Sequence, residues 1–235
     1  MHVLITGTGR QIGLGFNLVR RYLEQGDQVI ATVRRPSEAL EKLNDRYPDT
    51  LHILTMDIGS TESVSRAAKE AETFFPCLDL IVNNAVTTSP DTMKELEDFN
   101  LDDVAPVINV ASVGPLRVLK AFLPLLRQSA DTALIVNISS EAGSIGRCYR
   151  TYYIDYGMAK AALNMATMTM HNKFKDDPKI NIIALHPGWV RTSENSQAPL
   201  DPYEHAETLR LLFEKKRHDK EGPVFITHTG EAYPW

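Results

Sequence analysis

Tyr156 and Lys160 stand four residues apart, a spacing that on a helix sets a phenol and an ammonium on one face, about one turn apart. A free tyrosine ionises at a pKa of about 10, and a neighbouring cation lowers the cost of ionising it, so the pair can give and take a proton near neutral pH. The same spacing also fits a core tyrosine beside a surface lysine. Ser139 and Ser140 close the apolar run 133–138. A hydroxyl at such a strand end can hydrogen-bond a carbonyl oxygen as negative charge builds on it. The chemistry these residue types would serve is proton transfer at the oxygen of a carbonyl or an alcohol.

A second set of residues suits a dinucleotide. Gly7, Gly9, Arg10, Ile12 and Gly13 form a glycine-rich turn straight after the first apolar run and before the first helical pattern, the context in which backbone N–H groups grip a pyrophosphate. A tight strand-to-helix connection is the plainer use of the same glycines. Arg34 and Arg35 follow the second run, where an NAD-specific site would place an acid against the ribose hydroxyls. Guanidinium groups there suit a 2′-phosphate, with Arg10 able to join them, so NADP(H) is the expected cofactor. Asp57 and Ile58 follow the third run and are both expected at the adenine end of the cofactor site. Asp57 is expected at the adenine amino group, or else as the cap of a helix starting near Ser60.

The elements that must hold these groups are legible as alternation. Short runs rich in Val and Ile at 2–5, 28–33, 51–56, 78–82, 133–138, 180–185 and 223–226 read as strands buried on both faces. Helical spacing fills 12–24, 60–74, 104–127, 156–173 and 203–216. The pattern predicts an α/β chain forming one domain over 1–235, a doubly wound Rossmann fold with a mostly parallel seven-stranded sheet flanked by helices, and ligands at the strand carboxyl ends. The 235 residues, 43% of them hydrophobic, suffice for one core. A formal charge of −5, from 25 basic and 30 acidic side chains, offers no cationic field for nucleic acid or anionic lipid. The start lacks the features of a signal peptide and no apolar run approaches bilayer-spanning length, so a cytoplasmic protein is expected. Cys77 and Cys148 are expected as free thiols, and the seven histidines show no metal-site spacing, so no metal is expected.

The glycine turn, Asn83-Asn84-Ala85, Asn137-Ile138-Ser139-Ser140, Tyr156 with Lys160, and His186-Pro187-Gly188-Trp189-Val190-Arg191-Thr192 occur in that order. Jointly they resemble the short-chain dehydrogenase/reductase family. The PGWVRT and AALNM segments with the ending Gly230 to Trp235 resemble its carbonyl-reductase branch, which includes sniffer and the C-factor-like proteins. The resemblance implies NADPH-dependent reduction of a small ketone or aldehyde, reversible as alcohol oxidation, by a homo-oligomer (dimer or tetramer) with candidate interfaces on 104–127 and 156–173. It implies Tyr156 as acid/base and Lys160 as its electrostatic partner and ribose clamp. Ser140, the second serine of the motif, becomes the carbonyl-orienting hydroxyl. Asn84 and Ala85 would line the cofactor path, and Pro187, Gly188, Val190 and Thr192 would hold the nicotinamide end.

Four positions depart from the family pattern. Gln11 stands for the middle glycine of the turn, and Val86 for the glycine after Asn-Asn-Ala. Ala111 stands where registration on Gly114-Pro115 places the family's relay asparagine; Asn109, about 200° away on a regular helix, could replace it only through a distortion. Tyr156 follows Ser140 by sixteen positions rather than thirteen. The longer segment 141–155, with Arg147, Cys148, Tyr149, Arg150, Tyr152 and Tyr153, suits a pocket wall or an interface. Trp189 and the loop 194–202 are expected as a lid. The competing reading is a catalytically weak or inactive NADP(H)-binding regulatory protein, which Ala111 and Gln11 favour and the Ser140, Tyr156 and Lys160 set opposes.

Overall fold

The computed structural model describes residues 1–193 and 196–235. Seven strands, β1 (His2–Thr6), β2 (Gln28–Val33), β3 (Leu51–Thr55), β4 (Leu80–Asn83), β5 (Ala133–Ile138), β6 (Ile180–His186) and β7 (Phe225–Thr227), form one sheet in the order β3-β2-β1-β4-β5-β6-β7. All six pairings are parallel. Strands pressed from both sides need no polar face, and β5 is buried along its whole length. Successive side chains then feed opposite layers. Val3 and Ile5 join one apolar core while Leu4 joins the other.

The first layer is closed by α1 (Leu14–Glu24), α2 (Glu38–Arg46) and α7 (Pro202–Lys216), through Phe16, Leu18, Leu40, Leu43, Leu209 and Phe213. The second is closed by α3 (Thr61–Ala71) and α5 (Gly114–Arg127), through Val64, Ala67, Val118, Leu119 and Phe122. α4 (Val104–Ile108) and α6 (Ile154–Lys173) pack together beside β6. Strand order reverses between β1 and β4, so the crevice at their carboxyl ends is the switch point where such sheets take ligands.

Two elements differ from expectation. α2 was absent from the sequence reading, because only Leu40 and Leu43 are buried in it. The pattern expected as one helix over 104–127 is broken by a π-helical turn at Asn109–Val113. Pro115 has no N–H for the carbonyl of Ala111, so the regular ladder cannot pass through, and the Gly114 N–H reaches back five residues to the Asn109 carbonyl. The helical stretch Leu101–Arg127 is long and apolar enough to cross a membrane by length and composition, contrary to the expectation that no apolar run approaches that length. Its apolar side chains Val118, Leu119, Phe122 and Leu126 are buried against the sheet. Of the expected lid 194–202, positions 194 and 195 lie outside the described residues.

Candidate active site

At the switch point Gly7 has φ +71°, and a Cβ there would lie 2.6 Å from the Ala85 Cα, so only glycine lets the turn close over β4. Gly7 and Thr8 donate their N–H groups to the Thr32 carbonyl at 3.1 and 3.2 Å, and Gly13 donates to the Arg10 carbonyl at 2.8 Å. Asn84 braces the same turn: its Nδ2 donates to the Thr6 and Gly7 carbonyls at 2.8 and 3.0 Å. Thr6 Oγ1 accepts the Asn84 and Ala85 N–H groups at 3.0 Å each. Gly13 caps α1 with no side chain on its first amides, which leaves the positive end of an eleven-residue helix for an anion. Gln11 and Ile12 are exposed, so Gln11 projects outward and leaves the turn's backbone accessible.

Ser37 Oγ donates to the Gly9 carbonyl at 2.9 Å and thereby draws the β2–α2 loop onto the glycine turn. Arg10, Arg34 and Arg35, carried by these two joined loops, are exposed, and none forms an ion pair among the described residues. Asp57 Oδ1 accepts the Gly59 N–H at 2.8 Å, whereas the cap of α3 is the Ser60 side chain, accepting from Ser63 N. Ile58 is buried, lying where a Cβ on Gly114 would meet it at 2.9 Å, and its carbonyl accepts from Arg117 Nη1 at 3.1 Å. Its side chain is therefore core.

Ser139, Ser140, Tyr156 and Lys160 lie where β5 ends and α6 begins. Lys160 Nζ donates to the Ile138 carbonyl at 2.6 Å and lies 5.5 Å from the centre of the Tyr156 ring. Burial pulls its pKa down to about 8. Burial also raises the pKa of the Tyr156 phenol, with the Ser140 hydroxyl acting against that. The two serines divide their work. Ser139 Oγ donates to Asn164 Oδ1 at 2.6 Å, and Asn164 Nδ2 donates to the Gly143 carbonyl at 3.1 Å, so Ser139 ties β5 to α6. Ser140 Oγ donates to Glu141 Oε2 at 2.7 Å. The start of α6 is pinned by Asp155, fully buried, which accepts from Ser89 N at 2.7 Å and Thr92 Oγ1 at 2.6 Å. Tyr153 just before it holds φ +65°, a left-handed backbone that a bulky residue adopts only when its surroundings impose it.

At the end of β6, Gly188 has φ +80°, and a Cβ would lie 2.7 Å from Leu200 Cδ1. His205 Nε2 meets the Pro187 carbonyl at 2.7 Å, Val190 bridges Leu200, and Thr192 is partly buried beside Arg191, which pairs with Asp201 at 2.7 Å. Trp189 is exposed.

Asn109 does not reach this site, although the helix is distorted where required. Its Nδ2 donates to the Gly59 carbonyl at 3.1 Å and its Oδ1 accepts from Arg117 Nη2 at 2.6 Å. Ala111 is 1% exposed and packs with Val107 and Ala159. The sequence reading missed Glu141 and the grip of Arg150 on it; an acid directly after Ser140 was the available signal. It also left open the Tyr233-Pro234-Trp235 ending, which folds back on the site: the Gly146 N–H donates to the Trp235 carbonyl at 2.7 Å, and the Tyr233 ring lies 5.3 Å from that of His186.

A strand-ordered glycine turn, a switch-point crevice and a phenol–ammonium pair at the end of β5 define a dinucleotide-fold oxidoreductase. The family model described as short chain dehydrogenase matches residues 1–201, and the chain belongs to that family. It is 31% identical over 99% of its length to the short chain dehydrogenase gsfK of Penicillium aethiopicum, covering 98% of that protein. Among solved structures it is similar to an NADPH-bound carbonyl reductase from chicken fatty liver, with TM-score 0.87 and 28% identity over 100% of this chain and 98% of that one. It is likewise similar to the carbonyl reductase Sniffer of D. melanogaster, with TM-score 0.88 and 27% identity over 100% and 99% of the two chains.

Proposed function

We propose that this protein is an NADPH-dependent reductase of small ketones and aldehydes. The observation that carries the reading is the meeting of Ser140, Tyr156 and Lys160 at the carboxyl edge of β5, beside the crevice at β1 and β4. The turn fits a dinucleotide because α1 keeps an uncapped amino end and Gly7 and Gly13, where a Cβ would meet the Ala85 and Arg10 backbone, fold the turn tightly beside it. Three exposed, unpaired arginines beside it fit a 2′-phosphate. When bound, NADPH supplies the hydride.

Tyr156 holds the proton that the carbonyl oxygen takes as it becomes an alcohol, and its raised pKa keeps that proton in place at neutral pH. Lys160, charged below about pH 8, steadies the phenolate left behind. Ser140 orients the substrate oxygen by a hydrogen bond that strengthens as charge accumulates. Pro187, Gly188, Val190 and Thr192 hold the nicotinamide end, and Asn84 acts by stiffening the glycine turn. Asp57 keeps the adenine role through its second oxygen, and Ile58 through its backbone. Exposed Met158 and Met165 on α6 support a homo-oligomer using that helix.

The test is oxidation of NADPH against NADH with a panel of aldehydes, ketones and diketones. Substrate-dependent oxidation of NADPH is expected. Failure to bind either dinucleotide would overturn the reading, and tight binding without turnover would favour a regulatory NADP(H)-binding protein, the role that buried Ala111 in place of a relay side chain supports.

A further inference from the structure

Ser140 has a single hydroxyl proton, and with the Tyr156 phenol protonated it goes to Glu141. Its Oγ donates to Glu141 Oε2 at 2.7 Å while accepting the Ala142 N–H at 3.2 Å. To hydrogen-bond a carbonyl oxygen, Ser140 must turn that proton toward substrate. Glu141 and substrate therefore compete for one donor.

Glu141 is anchored where it stands. Arg150 pairs with its Oε1, and the Glu141 N–H donates to His186 Nδ1 at 3.2 Å. Arg150 in turn lies over Tyr149 and Tyr153, 5.4 and 5.1 Å from their ring centres, and the Tyr153 ring is 6.1 Å from that of Tyr156. Burial alone would raise the Glu141 carboxyl. The hydrogen bonds from Arg150 and Ser140, with the Arg150 charge, outweigh it and hold the group below its ordinary value. The pocket thus keeps an ionised, immobile acceptor adjoining the carbonyl-orienting hydroxyl.

When Ser140 turns to substrate, Glu141 stays paired with Arg150 through Oε1, but Oε2 loses its donor in a half-buried position, where an unmet acceptor is costly. A plain ketone has nothing to give back. A carbonyl compound with a hydroxyl on the neighbouring carbon restores the lost bond, because its two oxygens are neighbours, as are the Ser140 and Glu141 oxygens. We infer that Glu141 is a specificity-determining residue and that the preferred substrates are hydroxyketones and hydroxyaldehydes with the hydroxyl adjacent to the carbonyl.

This inference rests on the reductase reading. In the exchange, one bond, Ser140 O–H to Glu141, is replaced by two: Ser140 O–H to the carbonyl oxygen and substrate O–H to Glu141. No proton leaves Glu141. In the reduction the carbonyl carbon gains the hydride, its oxygen gains the Tyr156 proton, and NADPH becomes NADP⁺.

The experiment compares NADPH oxidation with hydroxyacetone, methoxyacetone and butanone. Methoxyacetone keeps the electron-withdrawing oxygen but has no donor, and butanone is nearly the same shape as hydroxyacetone. The wild-type protein is expected to favour hydroxyacetone over methoxyacetone by about tenfold or more in kcat/KM, the worth of a hydrogen bond to a charged acceptor. In Glu141→Gln the preference is expected to shrink to about threefold or less, and in Glu141→Ala, folding checked by NADPH binding, to vanish while butanone turnover persists. Turnover with no preference in the wild type, or with the same preference in both variants, overturns the inference alone. Absence of any ketone reduction overturns the reductase reading and this inference with it.

Discussion

Lys160 carries its ammonium at a position only 3% exposed, against the Ile138 carbonyl, and burial brings its pKa from 10.5 to about 8. Between those two values the unfolded chain holds a proton that the folded chain has shed, so stability rises with pH across that window. About 2.5 pH units at about 1.4 kcal/mol each amount to about 3.5 kcal/mol. Below pH 8 the protein bears that cost in full. Lys160→Met removes it but leaves the Ile138 carbonyl without its donor, a loss of about 1–3 kcal/mol, so at pH 7 the two proteins should agree in stability within about 2.5 kcal/mol. From pH 8 to 10.5 the wild type should then gain about 3.5 kcal/mol on the variant. Urea unfolding of both proteins at several pH values, followed by far-UV circular dichroism, measures this, because titrating groups that do not sense Lys160 cancel in the difference. A difference that stays flat to about 0.5 kcal/mol across that window would refute the assignment of a buried, charged lysine.

Tyr156→Phe should lower carbonyl reduction by about 10²–10⁴-fold with NADPH binding, read by fluorescence, little changed; undiminished turnover would remove Tyr156 from the chemistry. Arg34→Ala combined with Arg35→Ala should weaken NADPH binding by about 10–100-fold and leave NADH binding as it was, and equal loss for both would contradict a 2′-phosphate contact. Gly7→Ala should destabilise the fold by about 2 kcal/mol or more, since it meets both the φ of +71° and the Ala85 backbone; an unshifted thermal midpoint would contradict the close approach. For reduction at saturating NADPH, kcat/KM should fall as pH rises through about 8, where Lys160 loses its charge, and a flat profile to pH 9 would mean that the charge is not used.

Much of the fold was legible because parallel strands buried on both faces leave uninterrupted Val- and Ile-rich runs. The runs at 28–33 and 133–138 coincide with β2 and β5 to the residue. α2 escaped because it lies at the edge of the core and buries two side chains, Leu40 and Leu43, too few to establish a period. The break at Asn109–Val113 was written in Pro115, yet the same Pro is tolerated at a helix start. Only the packing of Gly114 beneath Ile58 shows that the chain continues through a π turn instead of stopping and restarting.

The site divides along the same physical line. Tyr156 and Lys160 share one helix, so spacing alone brings them together, and Ser140 follows from the end of β5. Glu141 and Arg150 depend on a loop path that no local pattern encodes. Gly143 passes so near Lys160 that a Cβ would lie 2.8 Å from its backbone, and Tyr153 takes a left-handed turn before α6. These two constraints fold residues 141–153 back until Arg150 meets Glu141. The helix distortion that would let Asn109 serve in place of Ala111 does occur, but Arg117 and Gly59 hold Asn109 on the far side. On the side facing α4 and the π turn, Ala111, Val107 and Ala159 are in contact, and the buried Ser112 spends its hydroxyl on the Ala159 carbonyl at 2.6 Å. The polar groups assigned above to the substrate oxygens stand instead at the end of β5, where Ser140 donates its proton to Glu141. Selectivity in this protein should therefore respond to changes at the end of β5 more than to changes on the helix that carries Ala111.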